Sequence, residues 1–294
     1  MNKKQLGFIG LGNMGQPIAS NLVSAGMPLW VFDIAEIDSK ARKGANIATS
    51  ITEIANQCSS IFLSLPDGEV ILNVAGQIAQ QKNATVRTLI DLSTVGIEAA
   101  REAKEILGGN EIQYIDAPVS GGKSGAIAGT ISLMWAGPKS CLEDHREILQ
   151  HISKNVFHVG DNAGQGQSMK LLNNFLSATA MAATSEAICF GLNQGLTMET
   201  MLNVLNVSTG RNTASSDKFP NQILNEKFQA GFLMALMTKD VSLYFKEVEK
   251  SGAVDRIAQP MYKIWNQANQ EFPGGDFTEI FRFIQNQRNK DASA

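Results

Sequence analysis

Lys170 and Asn174 stand four residues apart in the run GQGQSMKLLNN. On a helix that spacing points an ammonium and an amide the same way from one face. Alone, such a pair reads as a solvated polar edge as well as a site. Near the start of the chain, Gly10, Leu11, Gly12, Asn13, Met14 and Gly15 follow the apolar run KQLGFI and precede a pattern in which Met14, Ile18, Leu22 and Val23 recur at helical spacing. A glycine turn between strand and helix suits a dinucleotide pyrophosphate. The first glycine permits the tight turn, the second lets backbone approach the phosphates, and the third lets the helix pack on the strand, with the anion at the helix N–H groups. Asp33 comes 23 residues after Gly10, behind the apolar run PLWVF. A carboxylate there accepts hydrogen bonds from the 2'- and 3'-hydroxyls of an adenosine ribose. A 2'-phosphate would meet like charge, and no arginine follows directly, so NAD is expected over NADP.

The stretch DAPVSGG offers a second kind of seat. Ser120 brings a hydroxyl, Gly121 and Gly122 bring two N–H groups unshielded by side chains, and Lys123 adds a cation, together suited to a carboxylate. The same residues also read as a glycine-rich surface turn. Leu65-Pro66 and Ser93-Thr94 fall where strands are expected to end. Lys239-Asp240 puts adjacent charges among Leu236, Met237, Val241 and Leu243. Such pairs usually form a solvated stripe, but the helical spacing of Asp240 from Leu236 and Met237 turns one of the two charges toward a crevice.

The elements that must position these residues alternate over the first half of the chain. Strands are expected at 4–10, 28–34, 59–65, 86–92, 113–115, 130–135 and 155–159, with helices between them. Ser50 with Glu53 and Asp67 supply helix starts. This predicts a Rossmann-like, doubly wound α/β domain over residues 1–163, a largely parallel sheet with helices on both faces. A single helix follows over about 168–193, free of proline and about 40 Å long at 1.5 Å per residue. Its Ala, Ser and Thr content predicts close packing on several sides. With its flanks, 164–195, it joins the first domain to an all-helical one over 196–294, with helices expected at 197–207, 219–225, 233–250, 253–270 and 277–288. Asp276 with Glu279 is expected to start the last of these.

The chain has 294 residues, 44% hydrophobic and 18% charged, enough for two cored domains of a globular protein. A net charge of -3 gives no electrostatic case for nucleic acid or an anionic membrane. Three cysteines without metal or CxxC spacing predict a reduced, cytoplasmic protein, and no signal or membrane-spanning run is expected. Three histidines leave little room for a histidine metal site or triad.

GFIGLGNMGQPIASNL, DAPVSGG, GQGQSMKLLNN and LMTKD, in that order, resemble the four signature stretches of the β-hydroxyacid dehydrogenase family, that of the 3-hydroxyisobutyrate dehydrogenases. The resemblance runs along essentially the whole chain. It implies NAD on the glycine loop and a small hydroxy acid between the domains. Lys170 would then be the catalytic lysine and Asn174 its neighbour in the substrate site. Ser120, Gly121 and Gly122 would hold the substrate carboxylate, Thr94 would lie beside the nicotinamide half, and Lys239 would reach cofactor and substrate with Asp240 near it. It also implies a dimer or tetramer. Two positions depart from the family pattern. Gly96 stands where a proline is common, and Lys123 where a small or apolar residue is common, the latter pointing to a more polar acid.

A hydride moved to or from a nicotinamide requires a proton to leave or reach the alcohol oxygen, and Lys170 is the best group for it. A free lysine titrates near 10.4, too high for an efficient base at neutral pH, so burial and a second cation such as Lys239 would have to lower it. Two other readings stand beside this one. An imine or ketone reductase of the same fold would tend to lack such a lysine. A regulatory protein that only senses NAD would have no need of it.

Overall fold

The computed structural model describes residues 5–35, 37–81 and 84–291, so Lys4, the expected start of the first strand, lies outside them. The chain divides into two compact units, Met1–Lys170 and Leu171–Ala294.

In the first unit, strands and helices alternate as β1 Leu6–Ile9, α1 Gly15–Ser24, β2 Leu29–Phe32, α2 Ile37–Lys40, β3 Asn46–Ile47, α3 Ile51–Gln57, β4 Ser60–Leu63, α4 Gly68–Ala79, β5 Thr88–Asp91, α5 Ile97–Gly108 and β6 Gln113–Asp116. Then come β7 Val119–Ser120, α6 Gly122–Ala128, β8 Ile131–Ala136, α7 Lys139–Leu149 and β9 Ser153–Gly160. The sheet runs β3-β2-β1-β4-β5-β6-β8-β7, with β9 paired to β8. Pairing is parallel from β3 through β6, then antiparallel where β8 meets β6 and β7. Strand order reverses between β1 and β4. That reversal opens the crevice at the carboxyl ends of the strands where dinucleotides bind.

Both faces of this sheet are buried, because successive side chains of a strand enter opposite cores. Phe62, Ile90 and Ile115 join Phe8, Ile18, Leu22 and Trp135 on one side. Their chain neighbours Ile61, Leu89 and Tyr114 join Ile54, Ile71 and Leu107 on the other. Phe8 is fully buried, and truncation to Ala would cost about 3–5 kcal/mol. The expected strands are all present: β1, β2, β4 and β5 are shorter at both ends, β6 runs one residue further, β8 is shifted by one residue and β9 is longer at both ends. The two-residue strands β3 and β7 and the helices α2 and α6 are additions that periodicity was too short, or glycine too frequent, to show.

Helix α8 (Gln165–Asn193) starts three residues before its expected first turn. It is also less enclosed than expected, since Leu172, Leu176 and Phe190 are 38%, 62% and 67% exposed. Ala178, Met181 and Ile188 enter the core of the second unit instead. By length and composition α8 is apolar enough to cross a membrane.

The second unit continues with α9 Met198–Leu205, a π-helical segment Ala214–Ile223, α10 Met234–Ser251, α11 Ala258–Glu271, a short 3-10 turn Phe277–Glu279 and α12 Ile280–Asp291. Its core gathers Met201, Phe219, Met234, Met237, Val241, Trp265 and Phe277. Three details differ from expectation. The helix expected at 219–225 begins at Ala214, because the Asn212 side chain takes the N–H groups of Ala214 and Ser215, and Pro220 inside it carries no N–H for a regular ladder. Helix α11 begins at Ala258 rather than 253, since Gly252 closes α10 in the left-handed conformation with φ 66° and the chain must turn before restarting. Asp276 does cap the last segment, accepting from Thr278 N, but Glu279 pairs with Arg282 and closes no capping box.

Candidate active site

The glycine loop leaves β1 at Gly10, whose φ of 94° suits only glycine, and an added Cβ would lie 2.2 Å from the Ser64 carbonyl oxygen. At Gly15 a Cβ would lie 1.9 Å from the Gly10 carbonyl oxygen, so α1 can approach the strand only without a side chain there. Around Gly12 the space is open, and no side chain caps α1. Backbone donors at this end of α1 therefore face a cradle that an anion can enter. Asp33 at the end of β2 accepts from Leu11 N at 2.5 Å and from Ala35 N at 2.8 Å, which ties it to the loop. The ammonium of Lys40 on α2 stands 3.8 Å from the same carboxylate. These residues fit a dinucleotide with its ribose on Asp33, and Lys40 is a cation that the spacing argument passed over because it comes seven residues later.

Leu65 and Pro66 follow β4, and Thr94 follows β5, at the same edge of the sheet. Leu65 N donates to Ser93 Oγ at 2.8 Å, joining the two loops. Ser120 ends β7, opposite Ser132 of β8, and Gly121 and Gly122 turn the chain into α6 with φ values of 131° and 63°. Lys123 lies exposed in the first turn of α6.

Asp116 and Gln167 are two further residues of this unit that sequence reasoning missed. Asp116, fully buried at the end of β6, accepts from Gly164 N at 2.8 Å, Gln167 N at 3.0 Å and Gln167 Nε2 at 2.7 Å. Burial pushes its carboxyl up to about 6; the Gln167 bonds oppose that shift and the Asp91 charge adds to it. Asp91 in turn accepts from Tyr114 Oη at 2.6 Å, and burial, with that charge, holds the phenol well above its usual range. The signal for Gln167 was its place three residues before Lys170.

Lys170 closes the first unit, on α8, with 9% of its surface exposed. In the second unit, Asn174 Nδ2 donates to Asp240 Oδ2 at 2.6 Å, and Lys239 Nζ stands 3.5 Å from Asp240 Oδ1. Of the adjacent charges on α10, Asp240 is the one turned inward, at 2% exposure, and Lys239 keeps a partly exposed side chain. Asn174, Asp240 and Lys239 are thus one connected group.

Residues 5–160 match the family described as the NAD binding domain of 6-phosphogluconate dehydrogenase, and residues 164–284 match that described as NAD-binding of NADP-dependent 3-hydroxyisobutyrate dehydrogenase. A 3-hydroxyisobutyrate dehydrogenase of Pseudomonas aeruginosa is 33% identical, over 94% of this chain and 96% of that one. The chain belongs to the 3-hydroxyisobutyrate dehydrogenase family. A 2-(hydroxymethyl)glutarate dehydrogenase of Eubacterium barkeri is 34% identical over 92% of this chain and 89% of its own. The structure of Mycobacterium tuberculosis 3-hydroxyisobutyrate dehydrogenase with L-serine superposes with a TM-score of 0.87 at 29% identity, covering 96% of this chain and 99% of that one. As a member of the 3-hydroxyisobutyrate dehydrogenase family the protein is an NAD-dependent oxidoreductase of small hydroxy acids. Its Gly10 to Gly15 loop and Asp33 fit such a cofactor.

Proposed function

We propose that the protein interconverts a 3-hydroxy carboxylic acid and its semialdehyde or keto form, with Lys170 moving the proton. The observation that carries this is a buried lysine one helical turn before an amide that is itself anchored by a buried carboxylate. Bound NAD supplies the hydride acceptor or donor at its nicotinamide. In oxidation Lys170 Nζ takes the hydroxyl proton; in reduction it returns the proton to the carbonyl oxygen and stabilises the developing negative charge. A primary amide has two N–H donors, so Asn174 can give one to Asp240 and the other to the reacting oxygen. Asp240 keeps the amide oriented. Ser120 and the amides of Gly121 and Gly122 take the substrate carboxylate and so choose the carbon that faces the nicotinamide.

The relatives named above act on, or hold, 2-(hydroxymethyl)glutarate, 3-hydroxyisobutyrate and L-serine. All three contain HO-CH2-CH-COO⁻, which is the substrate element we infer for this chain. Lys123 favours a polar or acidic third substituent on the central carbon. Short 3-hydroxy acids with methyl, hydroxyl, amino and carboxyethyl substituents, assayed with NAD and NADP by absorbance, test this. Failure to turn over every one of them overturns the reading. The presence of Lys170 favours this chemistry over an imine or ketone reductase and over an NAD sensor.

The exposed row Leu172, Leu176 and Phe190 on α8 supports a homo-oligomer of at least two copies. Cys58, Cys141 and Cys189, three cysteines without metal or CxxC spacing, support a reducing, cytoplasmic setting. For the domains we retain 1–163, 164–195 and 196–294, with α8 as the joining element.

A further inference from the structure

The side-chain amide of Gln167 makes four hydrogen bonds, the full complement of a primary amide. Oε1 accepts from Val95 N at 2.9 Å and Gly96 N at 3.1 Å. Nε2 donates to Ser93 O at 3.1 Å and to Asp116 Oδ1 at 2.7 Å. The residue has no exposed surface, and its amide can stand only one way round. Reversed, an NH2 group would face two backbone N–H donors, and an oxygen would face a carbonyl and a carboxylate. Three segments meet on this one side chain: the loop 93–96, the end of β6 and the first turn of α8.

Local sequence supports the same junction. Asp116 acts as the cap of α8 from another element, placing a carboxylate at the positive end of a 29-residue helix. A Cβ on Gly166 would lie 2.7 Å from the Asp116 carbonyl oxygen, so the approach requires glycine there. Gly96 keeps the N–H that a proline would lack, and that N–H is one of the two bound by Gln167.

Gln167 and Lys170 are i and i+3 on α8 and lie on one side of the helix, in its first and second turns. Thr94 is flanked by Ser93 and Val95, whose backbone groups both bond Gln167. We propose that Gln167 is a positioning residue for proton and hydride transfer, holding the first turn of α8 against the loop 93–96 and so holding Lys170 in register with Thr94. It touches no reacting atom. The proposal rests on Lys170 carrying the proton.

The test replaces one donor. Gln167→Glu keeps the acceptor for Val95 and Gly96 but sets an oxygen against the Asp116 carboxylate and the Ser93 carbonyl. The expected result is a kcat lower by roughly 30-fold, the scale of a small misplacement, with substrate KM and calorimetric NAD affinity within about twofold. Amide exchange over 93–96 in the free protein rises as well. The reciprocal Gln167→Glu/Asp116→Asn protein restores a donor facing an acceptor between positions 167 and 116 with the same total charge, while the Ser93 carbonyl still faces an oxygen. It should regain part of the lost kcat and of the slow exchange, which two independent injuries would not do. A folded Gln167→Glu enzyme with parental kcat overturns the proposal, as does a double variant no better than the worse single one. Should Gln167→Glu not fold, the double variant must exceed Asp116→Asn in kcat, and a double variant that also fails to fold assigns Gln167 a purely structural part. Lys170→Ala separates the two readings. Parental kcat in that variant removes the proton-transfer assignment, whereas its collapse beside an unaffected Gln167→Glu overturns positioning alone.

Discussion

Asn174 on α8 gives a hydrogen bond of 2.6 Å to the Asp240 carboxylate on α10, both side chains buried. A charge-assisted bond of that length fixes the amide's rotation, and with it the direction of the second N–H. Asp240→Ala should therefore lower kcat in the same direction as Asn174→Ala, by about tenfold each, and the double variant should be little worse than either single one. Additive losses in the folded variants would show that the two residues act on separate steps.

Lys170→Ala should lower kcat by at least about 100-fold, the usual scale for loss of a general acid or base, with NAD affinity nearly unchanged because the glycine loop and Asp33 belong to other elements. Circular dichroism must first show the variant folded, since the lysine stem is itself packed. Near-parental kcat between pH 6 and 10 would end the assignment and move suspicion to Lys239.

Asp33 should make NAD the better cofactor, and the contrast should collapse in Asp33→Ser. The Lys40 ammonium, 3.8 Å from the Asp33 carboxylate, would then have a 2'-phosphate as its available anion. The ratio of kcat/KM for NAD over NADP should fall by at least about tenfold, part of it from real improvement with NADP. Lys40→Ala added to Asp33→Ser should remove that improvement. Equal use of both cofactors by the unmodified protein refutes the argument.

Burial raises Asp116 to about 6, above its ordinary carboxylate value, so between roughly pH 4 and 6 the folded protein binds a proton that the unfolded chain has released. That proton stabilises the fold at low pH, and the stabilisation is lost as pH rises through about 6, a change on the order of 3 kcal/mol. Urea midpoints of the parent and of Asp116→Asn, compared at pH 4.5 and 7, read it directly. The parent should lose ground to the variant at the higher pH, and a constant difference would show that Asp116 does not titrate there.

Leu176, 62% exposed on α8, should be covered in an assembly. Light scattering of the unmodified protein should give at least twice the chain mass of 31.7 kDa at micromolar concentration, and Leu176→Glu should shift it toward that chain mass. A single-chain mass for the unmodified protein sinks the prediction.

Much of the molecule was legible along the chain because its causes are local. Alternation of strands with helices, the GxGxxG turn and a carboxylate at the end of the second strand each depend on neighbours in sequence. So does the four-residue spacing that puts Lys170 and Asn174 on one side of a helix. Where local readings failed, a distant group had intervened or a local one had found another partner. Asp116 lengthened α8 from 48 residues away, and Glu279 preferred Arg282 to a capping box.

The sequence by itself determined the dinucleotide fold and the glycine turn, since residue type and short spacing suffice for these, and it singled out Lys170 as the candidate for proton transfer. Only the tertiary structure decided that Gln167 joins loop 93–96 to α8, and that Asp240 rather than Lys239 turns inward to hold Asn174. Which donor meets which acceptor across 66 or 72 residues of chain is set by how sheet and helices pack, and no periodicity carries that information.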